Sequence, residues 1–127
     1  MDVTYHPIGI VHSPFTSLEA MPIQPVAETS GHGIVEIFSE FVDGLKDLDG
    51  FSYVFLLYHF HKAHGGALII TPFLDSAPHG IFATRAPSRP NPIGLSVVKL
   101  VAIKGNALQV EQLDILDKTP VLGRLYT

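Results

Sequence analysis

Residues 93–116 read IGLSVVKLVAIKGNALQVEQLDIL, which is two β-rich runs on either side of Lys104-Gly105-Asn106. Glycine and asparagine are the residues that tight hairpin turns favour, and the flanking runs are rich in valine, isoleucine and leucine. The stretch therefore predicts a β-hairpin. Shorter runs of the same kind make up most of the remaining chain, so the strands of this hairpin indicate the fold class of the whole domain.

Further β-patterned runs, separated by turn residues, precede this hairpin. They are residues 5–12 (YHPIGIVH), 33–38 (GIVEIF), 51–60 (FSYVFLLYHF), 68–73 (LIITPF) and 80–84 (GIFAT). Only residues 40–51, EFVDGLKDLDGF, show helical spacing, through Phe41, Leu45 and Leu48. Many short strands, one short helix and no strand–helix alternation predict an all-β fold, a barrel or a sandwich.

The composition narrows the functional classes. The chain has 127 residues, which suits one domain, and no cysteine, which excludes disulfides, zinc ribbons and cysteine nucleophiles. The GxGxxG, GxSxG, HExxH and P-loop patterns are absent. No stretch approaches the roughly twenty apolar residues that cross a bilayer, and the N-terminus lacks a signal-peptide pattern. We therefore expect a cytoplasmic protein with no membrane partner and a single domain over residues 1–127.

Charge is sparse and unevenly distributed. Charged residues make up 16% of the chain against about a quarter in typical proteins, which predicts that another subunit covers part of the surface. The net charge is −4, yet residues 76–110 contain four basic residues and no acidic one. Residues 1–75 contain nine acidic and two basic residues. A basic segment on an acidic body can hold a localised anionic ligand, although a solvated loop is the alternative.

The centre of this basic segment is residues 83–96, ATRAPSRPNPIGLS. Each proline fixes its own φ and biases the residue before it, Ala86, Arg89 or Asn91, toward extended backbone. A stiff loop lowers the cost of ordering a contact, and the arginine fork suits a carboxylate or a phosphate. The pattern predicts anion binding by Arg85 and Arg89. A rigid connector with solvent-facing arginines is the alternative.

Two other groups of polar residues are candidates for chemistry. On a strand, His59 and His61 would share a face, with His64 near, and this is one pattern of metal ligation. The sequence offers no obvious third ligand, so we predict no metal. On a strand, Asp114 and Asp117 would face opposite sides and could not act as a carboxylate pair. A turn in which the carboxylate of Asp117 caps the backbone is the alternative to a binding role.

Several blocks resemble one known family. The chain is similar to the TsaA/TrmO-type proteins, also called YaeB-like, over nearly its whole length. The blocks are PIGIVHSPF (7–15), MPIQP (21–25), LDGFSYVFLLYHFHK (48–62), GIFATRAPSRPNPIGLSVVKL (80–100) and LDILDKTPVL (113–122). They follow the same order as in the family, and the proline-arginine block is the most specific of them.

The resemblance implies a single-domain β-barrel that works as a homodimer and methylates tRNA with S-adenosylmethionine. The implied reaction adds a methyl group to N6 of N6-threonylcarbamoyladenosine beside the anticodon. The cofactor contacts that it implies are Gln24, Pro25, Val26, His61, Lys62, Arg85, Leu95, Asp117, Lys118, Thr119 and Pro120. No residue stands out as a general base. A barrel that binds S-adenosylmethionine or another anionic metabolite as a sensor, without catalysis, remains an alternative, and a metal-dependent hydrolase built on the histidines is a third.

The chemistry of the cofactor is compatible with these residues. Its carboxylate suits Arg85 or Lys62, its sulfonium suits Asp117 with neighbouring carbonyl groups, and its adenine suits the apolar side chains of Leu95 and Val26.

The acceptor nucleoside carries its own carboxylate, and we expect Arg89, helped by Asn91, to orient it. Two departures from the family pattern stand out. Lys118 replaces the usual glycine in the last motif, and GRLYT follows PVL where members usually continue in an acidic-basic stretch that contains proline. The chain also stops where longer members continue into a C-terminal domain. We therefore expect no C-terminal extension here.

Overall fold

The structure is a computed structural model that describes residues 1–16, 31–62, 68–71, 76–84, 87 and 89–126. Its strands are β1 (Gly9–His12), β2 (Gly31–Ile37), β3 (Tyr53–His59), β4 (Ile69–Ile70), β5 (His79–Gly80), β6 (Ile93–Lys104), β7 (Ala107–Leu113) and β8 (Pro120–Tyr126). Three 3₁₀ helices, Ser39–Leu45, Leu48–Gly50 and Ile81–Ala83, complete the described elements. Among the described residues, no helix has the length and hydropathy that spanning a bilayer requires.

Six of the strands close into a barrel in the order β1-β2-β7-β6-β3-β8, and every neighbouring pair is antiparallel. β4 and β5 form a separate two-stranded sheet. The predicted hairpin is confirmed, because β6 and β7 pair from Lys104 and Ala107 around Gly105-Asn106. Gly105 has a φ of 62°, a left-handed conformation that glycine adopts without steric cost.

Alternation along β6 shows how the barrel is filled. Gly94, Ser96, Val98 and Leu100 are buried, whereas the residues between them are exposed. A period of two is what a strand with one buried face requires. The inward side chains of all six strands form one core together with apolar residues of the connections, such as Ile115. Its largest fully buried members include Ile37, Leu56, Leu108 and Leu113.

The antiparallel pairing gives the barrel two different ends. At one end, which we call the turn end, β6 passes to β7 through Gly105-Asn106, and two 3₁₀ helices link β2 to β3. The other end, which we call the loop end, is where β1, β3 and β7 finish and where β2, β6 and β8 begin. The connections 13–30, 60–92 and 114–119 therefore all leave the barrel at the loop end.

Several local predictions differ from the structure. Residues 40–51 form two 3₁₀ helices and no α-helix; Asp47, at a φ of 68°, separates them. The segment GIFAT is not a strand, since residues 81–83 form a 3₁₀ helix. The first strand begins at Gly9 and not at Tyr5. β8 was not predicted, because its sequence begins with a proline and has a glycine in its middle, both of which are disfavoured inside strands.

Candidate functional site

The loop end collects the segments that carry the predicted site residues. His61 and Lys62 follow β3, Arg89 and Asn91 precede β6, and residues 117–119 precede β8. Leu95 lies near the start of β6, with its side chain on the outer face of the barrel. Gln24, Pro25, Val26 and Arg85 belong to the same connections but lie outside the described residues. Segments that are far apart in sequence thus meet at one end of the barrel because of the strand order.

The turn at residues 117–119 is tied to the end of β1. The amide of Asp117 donates to the carbonyl of Phe15 at 2.7 Å, and the amide of Lys118 donates to the carbonyl of Val11 at 2.7 Å. In return, the amide of Ser13 donates to Oδ1 of Asp117 at 3.0 Å. These bonds fix the turn, so at least one oxygen of the Asp117 carboxylate caps the backbone. Asp114 and Asp117 both lie in this connection between β7 and β8 and not on a strand.

His61 is fixed against the same turn. Its Nδ1 lies 3.3 Å from Oγ1 of Thr119, which is buried, and the Thr119 hydroxyl donates to the carbonyl of Leu116 at 2.7 Å. Burial lowers the pKa of His61, positive charge at Lys62 and His59 lowers it further, and the carboxylate of Asp117 raises it. Within the described part of the chain, Nε2 of His61 is buried and has no hydrogen-bond partner. β3 ends at His59, so His59 and His61 do not lie together on a strand face.

A close-packed aromatic pair supports the base of the site. The rings of Tyr58 and Phe60 meet edge to face at a centroid distance of 5.3 Å, and the hydroxyl of Tyr58 is 2.8 Å from the Ser96 hydroxyl. A Cβ at Gly94 would come within 2.5 Å of the Tyr58 ring and 2.7 Å of the Phe60 ring. Only glycine leaves room for these rings beside β6. The space beside the Gly94 backbone is thus filled by side chains of the protein itself.

Hydrogen bonds hold the described residues of the 83–96 segment close to the start of β6. Nη1 of Arg89 donates to the carbonyl of Thr84 at 2.9 Å, and the Thr84 hydroxyl donates to the carbonyl of Ile81 at 2.9 Å. The amide of Phe60 donates to the carbonyl of Pro92 at 2.7 Å, which joins the two ends of the 60–92 connection. Arg89 is half-buried, and its hydrogen bond to Thr84 is a structural contact that exists in addition to any role in binding.

One interaction at the loop end was not predicted from the sequence. Lys118 adopts a φ of 69°, and its Nζ lies 3.4 Å from Nδ1 of His12. Nε2 of His12 is 2.9 Å from Oε1 of Glu36, so the imidazole bridges the lysine and the carboxylate. The side chain of Lys118 is exposed at this position. A positive φ favours glycine, which is the residue that the resemblance implies at this position. No sequence signal marks His12 as the partner of Lys118.

The histidine pattern does not assemble a metal centre in the described ranges. No group of three or more potential ligating side chains occurs among the residues that the structure describes, and His64 lies outside them. Nε2 of His61 is therefore not part of a ligand cluster among the described residues. A buried ring nitrogen without a partner still requires a hydrogen bond from another group.

Comparison with known proteins links this geometry to a family. The model of the family described as the tRNA-methyltransferase O N-terminal domain matches residues 10–123. A probable S-adenosyl-L-methionine-binding protein of Pyrococcus abyssi is 52% identical over 94% of this chain and 65% of its own length. The tRNA (adenine(37)-N6)-methyltransferase of Mus musculus is 36% identical over 91% of this chain and 28% of its own length.

The solved structures give the same relationship. A crystal structure of TrmO superposes with a TM-score of 0.83 at 36% identity and covers 100% of this chain and 58% of that protein. The chain thus spans about two thirds or less of each of these three proteins.

Proposed function

Because this chain belongs to the family of tRNA-methyltransferase O N-terminal domains, we propose that it is an S-adenosylmethionine-dependent tRNA methyltransferase. Its substrate is N6 of N6-threonylcarbamoyladenosine next to the anticodon, and it acts in the cytoplasm. Two relatives support this proposal by their names, one an S-adenosyl-L-methionine-binding protein and the other a tRNA (adenine(37)-N6)-methyltransferase.

The observation that carries the proposal is the convergence of three separate segments at the loop end. His61 meets Thr119 there, and Lys62 donates to the carbonyl of Thr16 at 3.4 Å, so the β1, β3 and β8 ends are joined through side chains implied in cofactor binding. Such convergent polar groups at the rim of an apolar barrel are typical of small-molecule sites.

The described residues fit S-adenosylmethionine chemically. When bound, this cofactor supplies a methyl group on a positively charged sulfur. The half-buried ring of His61 is held in place by Thr119, the exposed Lys62 offers a cation for the carboxylate, and the 117–119 turn holds the carboxylate of Asp117. We assign the remaining contacts to Gln24, Pro25, Val26, Arg85, Leu95 and Pro120. Positioning of the acceptor nitrogen against the methyl group supplies much of the rate.

We assign the orientation of the substrate to Arg89 and Asn91. A guanidinium has five N–H donors in a planar fork, so donation to the Thr84 carbonyl is compatible with a second contact to a carboxylate. Arg89→Ala should reduce methylation of tRNA carrying the threonyl carboxylate. With a substrate that lacks this carboxylate, the same variant and the unmodified protein should react at equal rates. An equal loss on both substrates would overturn the assignment.

The proposal is tested by incubating the protein with S-adenosylmethionine and tRNA that contains threonylcarbamoyladenosine. Mass analysis of the digested nucleosides should show one added methyl group on that nucleoside, and S-adenosylmethionine should raise Tm in a parallel thermal shift. Stabilisation without methylation would favour the sensor function. Stabilisation by zinc and not by S-adenosylmethionine would favour the metal-dependent hydrolase.

We also propose a homodimer, which the outer face of β3 and β6 supports. Its exposed apolar side chains are Tyr53, Ile93, Leu95, Val97 and Val101. Monomeric proteins rarely leave such contiguous apolar faces in water. Val97→Glu should convert the dimer to a monomer in analytical ultracentrifugation, whereas Val3→Glu, a charge added at an exposed position near the N-terminus, should leave the dimer intact. A dimer that persists in Val97→Glu would exclude this face.

A further inference from the structure

One buried nitrogen at the loop end has no structural use. Nε2 of His61 is buried and lacks a hydrogen-bond partner among the described residues, although the same ring is held through Nδ1. Leaving a buried polar atom unpaired is energetically costly, so such atoms are uncommon in folded proteins. Unpaired groups of this kind at a binding site often serve a ligand or a reaction.

The contacts of Thr119 determine which nitrogen of His61 carries the proton. The Thr119 hydroxyl has a single proton, and the short 2.7 Å contact to the Leu116 carbonyl, which can only accept, uses it. Oγ1 of Thr119 must therefore accept from Nδ1–H of His61 at 3.3 Å. A neutral ring protonated at Nδ1 has a bare lone pair at Nε2. The buried nitrogen is thus an acceptor and not a donor.

The charges around His61 keep this ring neutral near pH 7. Burial lowers its pKa, and His59 and Lys62, which lie on β3 and in the turn after it, lower it further. Among the described residues, Asp117, from the connection that packs against the ring, opposes them and raises the pKa. A ring that is neutral at working pH can accept a proton, and a nearby carboxylate stabilises the cation that results.

On the basis of the proposed function, we propose that His61 is the catalytic residue that takes the proton from the acceptor nitrogen through Nε2. In threonylcarbamoyladenosine the lone pair of N6 is delocalised into both the purine ring and the carbamoyl carbonyl. This nitrogen is a poor nucleophile until its proton leaves, so the reaction requires a base.

The step balances without any further reactant. His61 Nε2 takes the N6 proton, and the electron pair freed on nitrogen forms the bond to the methyl carbon. The electron pair of the carbon–sulfur bond stays on sulfur, which becomes a neutral thioether. One positive charge is present before the step, on the sulfonium, and one after it, on the imidazolium, where the Asp117 carboxylate stabilises it.

His61→Asn tests this role directly. The asparagine side chain reproduces the Nδ1–H donor to Thr119 but has no atom in place of Nε2. Its single-turnover methylation rate at saturating S-adenosylmethionine should fall by at least about 100-fold, the lower range for loss of a general base. The residual rate should rise steadily with pH, whereas the rate of the unmodified protein should level off once His61 is neutral.

The control is His59→Asn, which replaces the neighbouring histidine at the end of β3 and should retain the rate at and above pH 7. Because His61 is also an implied cofactor contact, calorimetry measures the affinity of His61→Asn for S-adenosylmethionine, so that the rates are compared at a saturating concentration for each protein. A rate loss that is explained by lost affinity, or a variant with an unchanged rate and pH profile, would overturn the proposal.

A second measurement does not depend on activity. The ¹⁵N chemical shifts of the His61 ring at pH 7 should show a protonated Nδ1 and an unprotonated Nε2, and Thr119→Val should abolish this preference. A ring protonated at Nε2 would overturn the proposal even if His61→Asn failed to fold. If the unmodified protein shows the expected ring protonation but methylates no tRNA, the proposed function fails, and with it the role of His61 in that reaction.

Discussion

The two ends of the barrel satisfy their polar groups differently. At the turn end, the Asn106 side chain donates to the Ile37 carbonyl at 3.0 Å and the Ile37 amide donates to the Asn106 carbonyl at 2.8 Å. At the loop end, two buried atoms of the described residues have no partner, Nε2 of His61 and Oδ1 of Asp114. The polar groups named at the turn end are satisfied by hydrogen bonds within the protein, whereas the loop end leaves two buried atoms for which a ligand can supply the partner. Changes toward the turn end should therefore affect stability alone, and changes toward the loop end should affect both stability and binding.

The largest effect is expected in the core. Leu108 on β7 is fully buried, and its replacement by alanine should lower the free energy of unfolding by about 2–5 kcal/mol. Urea denaturation measures this change, with Val3→Ala, at an exposed position near the N-terminus, as a control that should stay within about 1 kcal/mol. Because Leu108 lies toward the turn end, the folded variant should keep its affinity for S-adenosylmethionine. A lost affinity would contradict the separation of the two ends.

A smaller effect is expected at Gly94. Alanine there would collide with the rings of Tyr58 and Phe60 and should cost about 1–3 kcal/mol. Since these rings lie beneath the loop end, calorimetry should also show weaker binding of S-adenosylmethionine. Gly123→Ala, on β8 where an added Cβ meets no atom within 4 Å, should change neither quantity appreciably. Equal behaviour of the two variants would show that the ring contact is unimportant.

Lys118→Gly should stabilise the protein modestly. Lysine at a φ of 69° has a steric cost that glycine avoids, and the net gain is about 0.5–1 kcal/mol once the flexibility of glycine in the unfolded chain is counted. Lys118→Ala keeps the Cβ and loses the contact to His12, so it should show no gain in thermal unfolding. If Lys118→Ala also stabilised the protein, the gain would come from removal of the lysine side chain and not from relief of the backbone conformation.

The smallest effect is a dependence of stability on pH. The pKa of His61 is lower in the folded protein than in the unfolded chain, where it is about 6.5. The unfolded state therefore binds more protons in this range, and the free energy of unfolding falls as pH drops below about 6.5 until the folded ring also titrates. The decrease should be smaller in His61→Asn than in the unmodified protein. Parallel curves for the two proteins would contradict the shifted pKa.

The sequence predicts the barrel better than the loop end. Gly105-Asn106 marked its hairpin, and the content of valine, isoleucine and leucine marked the strands on either side, because both signals are local. The short helix predicted over residues 40–51 is present as two 3₁₀ helices, since apolar spacing over so few residues does not distinguish a 3₁₀ helix from an α-helix.

The site depends on pairs that local patterns cannot reveal. His61 and Thr119 are 58 residues apart and meet only because β3 and β8 are neighbours, and β8 itself was not predicted. The resemblance to a family named both residues but gave no reason for their proximity. The bond that sets the proton position on His61 therefore became visible only in the structure.

The central claim is that the loop end, and not the turn end, binds S-adenosylmethionine. A titration followed by ¹H–¹⁵N correlation spectra measures both ends in one experiment. The amides of His61, Lys62, Leu95 and residues 117–119 should shift, whereas those of residues 39–50 and of Gly105-Asn106 should not. Shifts that are largest at the turn end, or that leave His61 and Thr119 unchanged at saturation, would contradict the account.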